Sequence, residues 1–279
     1  MSATKTPQSL RSINGRLYLP DGEIFRLRAL LWLAMMVLLL IPMATLLDVS
    51  VARWFDGDPI SRDLRGGLDL MRVFSDGSGV VLILFAIFLM APQCRWHLPR
   101  LAVMALGAGA LATLAKMFAL RPRPSGINLD VASMDAAWIW KFDYSLSQIA
   151  AFDASTRSFP SGNVATATAI AVGLWFIFPR GRILFAMITC GTALQRMASG
   201  AHFPSDVLGG CVAGLLWGYV CLSDRMLGNL FDKMSPSEAH HMPLTVRDWQ
   251  VESSVAVAGQ TPTAETDPGE TQTPNHRAA

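Results

Sequence analysis

The sequence predicts an all-α protein, a polytopic membrane helical bundle of about six transmembrane helices. Its composition is 52% hydrophobic and only 16% charged, against roughly 25% charged in soluble domains. The apolar residues are gathered into runs near the ~20 residues a helix needs to cross a bilayer. Cations collect in alternate connections between those runs, the pattern that orients spanning helices. A net charge of +2 without a basic stripe gives no sign of a nucleic-acid partner. Cys190, Cys211 and Cys221 fall inside apolar runs and Cys94 in a short basic loop, so no disulfide framework is predicted.

Taken in order, residues 1–28 form a polar, cationic N-terminal segment with Lys5, Arg11, Arg16, Arg26 and Arg28. The first span follows from Ala29 to Leu47. It is too long for the h-region of about 7–15 residues in a cleaved signal peptide, so an uncleaved signal anchor is expected. Residues 48–78 read as a mixed-charge loop with an amphipathic piece around Leu68–Val73. The second span covers Gly79–Ala91 and the third Leu101–Leu120, rich in the Gly and Ala that close helix packing uses.

A long polar connection over residues 121–160 follows, and loops of that length usually carry function. Trp138, Trp140 and Tyr144 within it suit a membrane–water interface. The remaining spans are Gly162–Phe178, Ile183–Leu194 and Ser205–Ser223. The last carries Gly210, Gly214 and Gly218 on one face, for close packing either within the bundle, the reading preferred, or between subunits. The membrane domain therefore covers residues 29–223, with its motifs within 116–206. Residues 224–279 are a cytoplasmic tail, largely disordered because Pro, Thr, Glu and Gln leave little surface to bury.

Three polar clusters interrupt this apolar chain. In Lys116-Met-Phe-Ala-Leu-Arg-Pro-Arg123-Pro124, the two cations are seven residues apart, about two helical turns, and share a face. Lys116 either snorkels at its helix end or, being ionisable within an apolar run, serves a function. Arg121 between them is the ambiguous member, read as a solvated interface charge rather than a site cation. In Phe159-Pro160-Ser161-Gly162-Asn163, a loop turns into a helix whose free N–H groups and dipole favour an anion. In Arg196-Met-Ala-Ser-Gly-Ala-His202-Phe-Pro-Ser-Asp206, Asp206 lies four residues after His202 at a helix start. It is either a capping residue or the orienter of a nucleophilic imidazole.

Six spans place all three clusters on one face of the membrane. The cations of the N-terminus, Arg95, Arg100, Arg180, Arg182, Arg225 and Lys233 gather on the other, which the positive-inside rule makes cytoplasmic. The expected location is an integral membrane protein, of the bacterial inner membrane, with cytoplasmic termini and an outward-facing site.

Lys-x6-Arg-Pro, Pro-Ser-Gly and Arg-x5-His-x3-Asp, in this order over residues 101–223, resemble the type-2 phosphatidic acid phosphatase family of integral membrane phosphatases. The soluble vanadium haloperoxidases share such motifs, but the apolar spans argue against that branch. The resemblance implies that Lys116, Arg123 and Arg196 neutralise the phosphoryl oxygens while the Ser161 hydroxyl and Gly162 N–H donate to them. It also implies that His202 attacks phosphorus to give a phosphohistidine and that Asp206 holds its tautomer. No metal or other cofactor is expected, the substrate is a phosphorylated lipid, and oligomeric state is open. Phosphoryl transfer needs little beyond positioning, cations and a nucleophile.

The departure from the family is Asn163, which stands where the family has the histidine that protonates the leaving oxygen. An amide cannot do this, and general acid assistance is typically ~10²–10⁴ in rate. Three outcomes are open: a substrate with a good leaving group such as a diphosphate or a glycosidic phosphate; a proton from another residue such as Asp143 or Asp153; or lipid binding without turnover. The chain is read first as a lipid phosphatase. A lipid phosphotransferase and a non-catalytic binder of anionic lipid are the alternatives.

Overall fold

The structure, a computed structural model, describes residues 16–18, 24–132, 140–142, 144, 153 and 157–234. Its first element is an antiparallel ribbon, β1 (Arg16–Tyr18) with β2 (Ile24–Arg26), which the apolar pattern does not announce. All other regular elements among the described residues are helical. The long helices are α1 (Leu27–Thr45), α4 (Gly77–Met90), α5 (Leu98–Lys116), α6 (Gly162–Ile177), α7 (Arg182–Ala198) and α8 (Pro204–Leu222). Each coincides with one predicted span.

By length and composition, three helical stretches of the described residues suffice to cross a membrane: Leu27–Thr45, Pro92–Lys116 and Pro204–Leu222. A fourth arises if the pair α3 (Arg62–Val73) and α4 is one span bent by 66°. Helix α6 is apolar but shorter, so the six predicted helices are present while six full-length spans are not all shown. Residues 48–78 are more ordered than the predicted loop: α2 (Asp48–Asp56) and α3 occupy them. The charged, amphipathic sequence of α3 lays one face on α7. There the Thr192 hydroxyl donates to Met71 O (2.9 Å) and Gln195 Nε2 to Asp69 Oδ1 (2.8 Å).

Helix α8 is the centre of the bundle and packs on α1, α5 and α6. Its Gly210 and Gly214 face α6 so closely that a Cβ would lie 2.5 Å from Ser161 O and from Ala165 O respectively. These glycines therefore set the α6–α8 approach, a packing role within the bundle as predicted. That approach also brings the first turn of α6 beside the first turn of α8, where two of the polar clusters lie. At the other end of α5, Arg100 donates to Gly228 O (3.0 Å) and to Asp232 Oδ1 (2.6 Å) of α9 (Gly228–Met234). The tail expected from residue 224 thus begins with a packed helix; residues 235–279, including His240 and His241, lie outside the described residues.

Candidate active site

Backbone hydrogen bonds tie the three clusters together. Ser158 N–H donates to Arg121 O (2.8 Å), Ser161 N–H to Asp206 O (3.0 Å) and Ser125 N–H to Gly200 O (3.0 Å). The long connection is thereby anchored to the end of α5 on one side and to the turn before α8 on the other. Lys116, the last residue of α5, is 6% exposed; its Nζ donates to Arg157 O (2.8 Å). Arg157 returns bonds to Lys116 O (2.8 Å) and Met117 O (2.7 Å).

His202 sits in the turn between α7 and α8, 4% exposed, its backbone N–H donating to Arg196 O (3.2 Å). Its Nδ1 is 3.7 Å from Asp206 Oδ2, longer than a hydrogen bond. Such contacts are commonly loose in a ligand-free site and tighten in the reacting complex. Burial pushes the imidazole below its ordinary pKa, with the Asp206 carboxylate opposing the shift and Lys116 and Arg196 adding to it. With Nδ1 turned to Asp206, Nε2 is the nitrogen left free.

Asp206 is fully buried and serves more than His202. Its Oδ2 accepts Phe203 N–H (2.7 Å), closing the first turn of α8, and its Oδ1 accepts Arg121 Nη1. Arg121 corrects the sequence reading. It is not a solvated interface charge but a guanidinium with its side chain 0% exposed. It donates to Asp206, to Asp48 Oδ2 and to Ser205 Oγ (2.8 Å). Its Cζ lies over the rings of Trp140 (4.3 Å to the ring centroid) and Phe203 (4.5 Å). Trp140 therefore covers an ion pair. Asp48, at the start of α2, also accepts Ser205 N–H (3.0 Å) and Ser205 Oγ–H (2.6 Å), and so caps α8 from another helix. Burial raises the Asp48 pKa, while Arg121 and Ser205 pull it back.

The cations predicted for the site share one neighbourhood. Lys116 is within electrostatic reach of Arg123, Asp206 and Arg196, His202 of Lys116 and Arg196, and Arg196 of Arg123. Ser161 Oγ and Arg196 Nε are buried without a hydrogen-bond partner among the described residues. Gly162 opens α6, and a Cβ there would meet no protein atom within 4 Å. The protein's own packing thus makes no demand for glycine at this position. Among the described residues no group of three His, Cys, Asp or Glu side chains forms a metal-ligand set.

Asn163 lies in the first turn of α6 and its Nδ2 donates to Asp76 Oδ1 (2.9 Å). Asp76 stands at the α3–α4 break, and its Oδ2 accepts Arg72 Nε (3.1 Å). Arg72 and Asp76 both lie within electrostatic reach of Arg196. Among the described residues, the carboxylate that meets Asn163 is that of Asp76; Asp153 is exposed, and Asp143 lies outside the described residues. Asp48, Arg72, Asp76, Arg121 and Arg157 all escape sequence reasoning as site residues. Only Arg121 carries a local signal, its place inside Lys-x6-Arg-Pro.

Residues 97–227 match the model of the PAP2 superfamily, and all three clusters fall inside that range. A lipid A 1-phosphatase of Rhizobium johnstonii is 31% identical over 109 residues, 38% of this chain and 39% of that protein. One from Rhizobium etli is also 31% identical over 109 residues, covering 38% and 41%. The chain matches about two-fifths of the length of these curated relatives. Among solved structures, Aquifex aeolicus LpxE has a TM-score of 0.45 at 20% identity, covering 63% of this chain and 94% of that one. A transmembrane PAP2 type phosphatidylglycerolphosphate phosphatase from Bacillus subtilis has a TM-score of 0.49 at 18% identity, covering 73% and 98%. Through residues 97–227, the chain is similar to the PAP2 superfamily.

Proposed function

We propose that this integral membrane protein is a lipid phosphatase that removes a phosphate from a phosphorylated lipid through a phosphohistidine on His202. The observation that carries the reading is the meeting of Lys116, Arg123, Arg196 and His202 near the first turn of α6. Among the described residues, Ser161 Oγ and Arg196 Nε have no partner there. The cations neutralise the phosphoryl oxygens, the Ser161 hydroxyl and the Gly162 N–H donate to them, and Asp206 orients the imidazole. Charge stabilisation of this kind is the main demand of phosphoryl transfer. The site faces the periplasmic side of a bacterial inner membrane, with the cation-rich termini cytoplasmic.

Asn163 supplies no proton, so the substrate carries a leaving group that departs unaided. A lipid diphosphate qualifies, since a phosphate monoester leaves as an anion whose second pKa is ~6. An anomeric phosphate, such as lipid A carries at position 1, is the other fit, and the 31% identity to lipid A 1-phosphatases supports it.

Phosphate release from detergent-purified protein tests the reading on a panel of lipid diphosphates, lipid A-type phosphates and phosphatidic acid. Release from the first two is expected to exceed release from phosphatidic acid by ~10²-fold or more. Equal rates would defeat the leaving-group argument, and no release from any lipid would leave a binding protein. Asn163→His restores an acid beside Asp76. It is expected to accelerate phosphatidic acid by ~10²-fold while changing diphosphate turnover little. Uniform changes across the panel would contradict this.

A further inference from the structure

We propose that Asp76 is the general base that activates water to hydrolyse the phosphohistidine; the proposal rests on the phosphatase reading above. Position 163 is where the family assists the leaving oxygen. Once that oxygen has gone, the attacking water approaches phosphorus along the same path, opposite His202. By microscopic reversibility, the group that serves departure is also placed to serve entry. Asn163 has no basic atom for this, but its amide holds the carboxylate of Asp76 at 2.9 Å.

The disposition of Asp76 suits a base. Both its oxygens accept, Oδ1 from Asn163 Nδ2 and Oδ2 from Arg72 Nε, which fixes the orientation of the carboxyl group. A carboxylate gives no proton to the amide, which fixes the Asn163 side chain with its nitrogen toward Asp76. The Asp76 side chain is 28% exposed, open enough to meet water, and it lies within electrostatic reach of Arg196 in the phosphate site. As N-cap of α4 it makes no side-chain capping bond, so its lone pairs are not committed to its own helix.

The bonds balance over two steps. His202 Nε2 attacks phosphorus, the N–P bond forms, and the P–O bond to the lipid breaks, its electron pair leaving on the lipid oxygen. Water oxygen then attacks phosphorus, the N–P bond breaks with its pair returning to Nε2, and the water proton passes to the Asp76 carboxylate. Asp76 releases it to solvent. A carboxylate cannot also protonate the lipid oxygen in the first step. The demand for a good leaving group therefore persists alongside an efficient second step.

Asp76→Asn removes the base while keeping the shape and an equally good helix N-cap. Rapid-quench turnover of a ³²P-labelled lipid diphosphate by the full-length protein in detergent separates the steps. The variant is expected to release one lipid per site in a burst at a rate within about threefold of wild type. Steady-state phosphate release falls about 10²-fold, and labelled phosphohistidine accumulates on the protein. Asp76→Glu recovers part of the steady-state rate. A burst that falls together with the steady state would assign Asp76 a structural or first-step role and overturn the proposal, as would an unchanged steady state. Wild-type protein that releases no phosphate from any lipid would instead remove the phosphatase reading, and this step with it.

Discussion

His202→Ala is expected to lower phosphate release by at least about 10⁴-fold while lipid binding survives. Removing the nucleophile of a constellation that acts as a unit costs nearly all that the unit contributes. Binding rests on different groups: Lys116, Arg123 and Arg196 keep their charges, and Ser161 keeps its buried hydroxyl. The measurement pairs phosphate release with binding of a radiolabelled lipid phosphate to the detergent-solubilised variant. Residual turnover within tenfold of wild type would exclude His202 as nucleophile. Loss of binding together with turnover would show instead that the imidazole holds the site's shape.

The direction of the His202 pKa shift adds a pH test. An attacking imidazole must be neutral, and burial keeps it neutral below its ordinary value of 6.5. The sign follows: activity is retained as pH falls through 6.5, and the acid limb of kcat/KM lies below it. A limb centred above 6.5 would mean that Asp206 raises the imidazole more than burial lowers it.

The helices and the three clusters are legible in the sequence because each leaves a local trace. Apolar runs announce α1, α4, α5, α6, α7 and α8, and the ordered motifs name Lys116, Arg123, Ser161, His202 and Asp206. What the sequence hides is long-range partnership. Asp76 is 87 residues from Asn163, and Asp48 is 73 from Arg121. No spacing rule reports such a pairing, because it depends on how α2 and the α3–α4 break fold back onto the bundle. Residues 48–78 read as a loop because their charges obscure helical periodicity. Those charges are what place Asp48 and Asp76 at the site. Arg121 misleads for a related reason: a cation beside a proline after an apolar run usually is solvated, and only tertiary structure supplies two buried carboxylates and two aromatic faces.

Arg121→Ala is expected to destabilise the fold more than either Arg121→Lys or Asp48→Asn. Arg121 lies between two carboxylates, Asp48 and Asp206, whose side chains are both 0% exposed. Breaking a buried pair by removing one partner typically costs about 3–5 kcal/mol, because the remaining charge stays buried and uncompensated. Here two carboxylates are abandoned together, and the contact with the Trp140 and Phe203 rings goes with the guanidinium. Arg121→Lys does not repair the loss, since one ammonium cannot present the planar fork that spans Asp206, Ser205 and Asp48. Asp48→Asn removes one carboxylate, leaves Arg121 on Asp206 and keeps an acceptor for Ser205, so its cost is smaller. Thermal unfolding in detergent, followed by tryptophan fluorescence, orders the three variants, with the alanine variant melting lowest and Asp48→Asn closest to wild type. Turnover follows the same order, because Asp206 freed from Arg121 no longer holds its place beside His202. If Arg121→Ala melted with wild type, the buried network would not be what fixes the turn before α8, and Asp206 would owe its position to the Phe203 N–H alone.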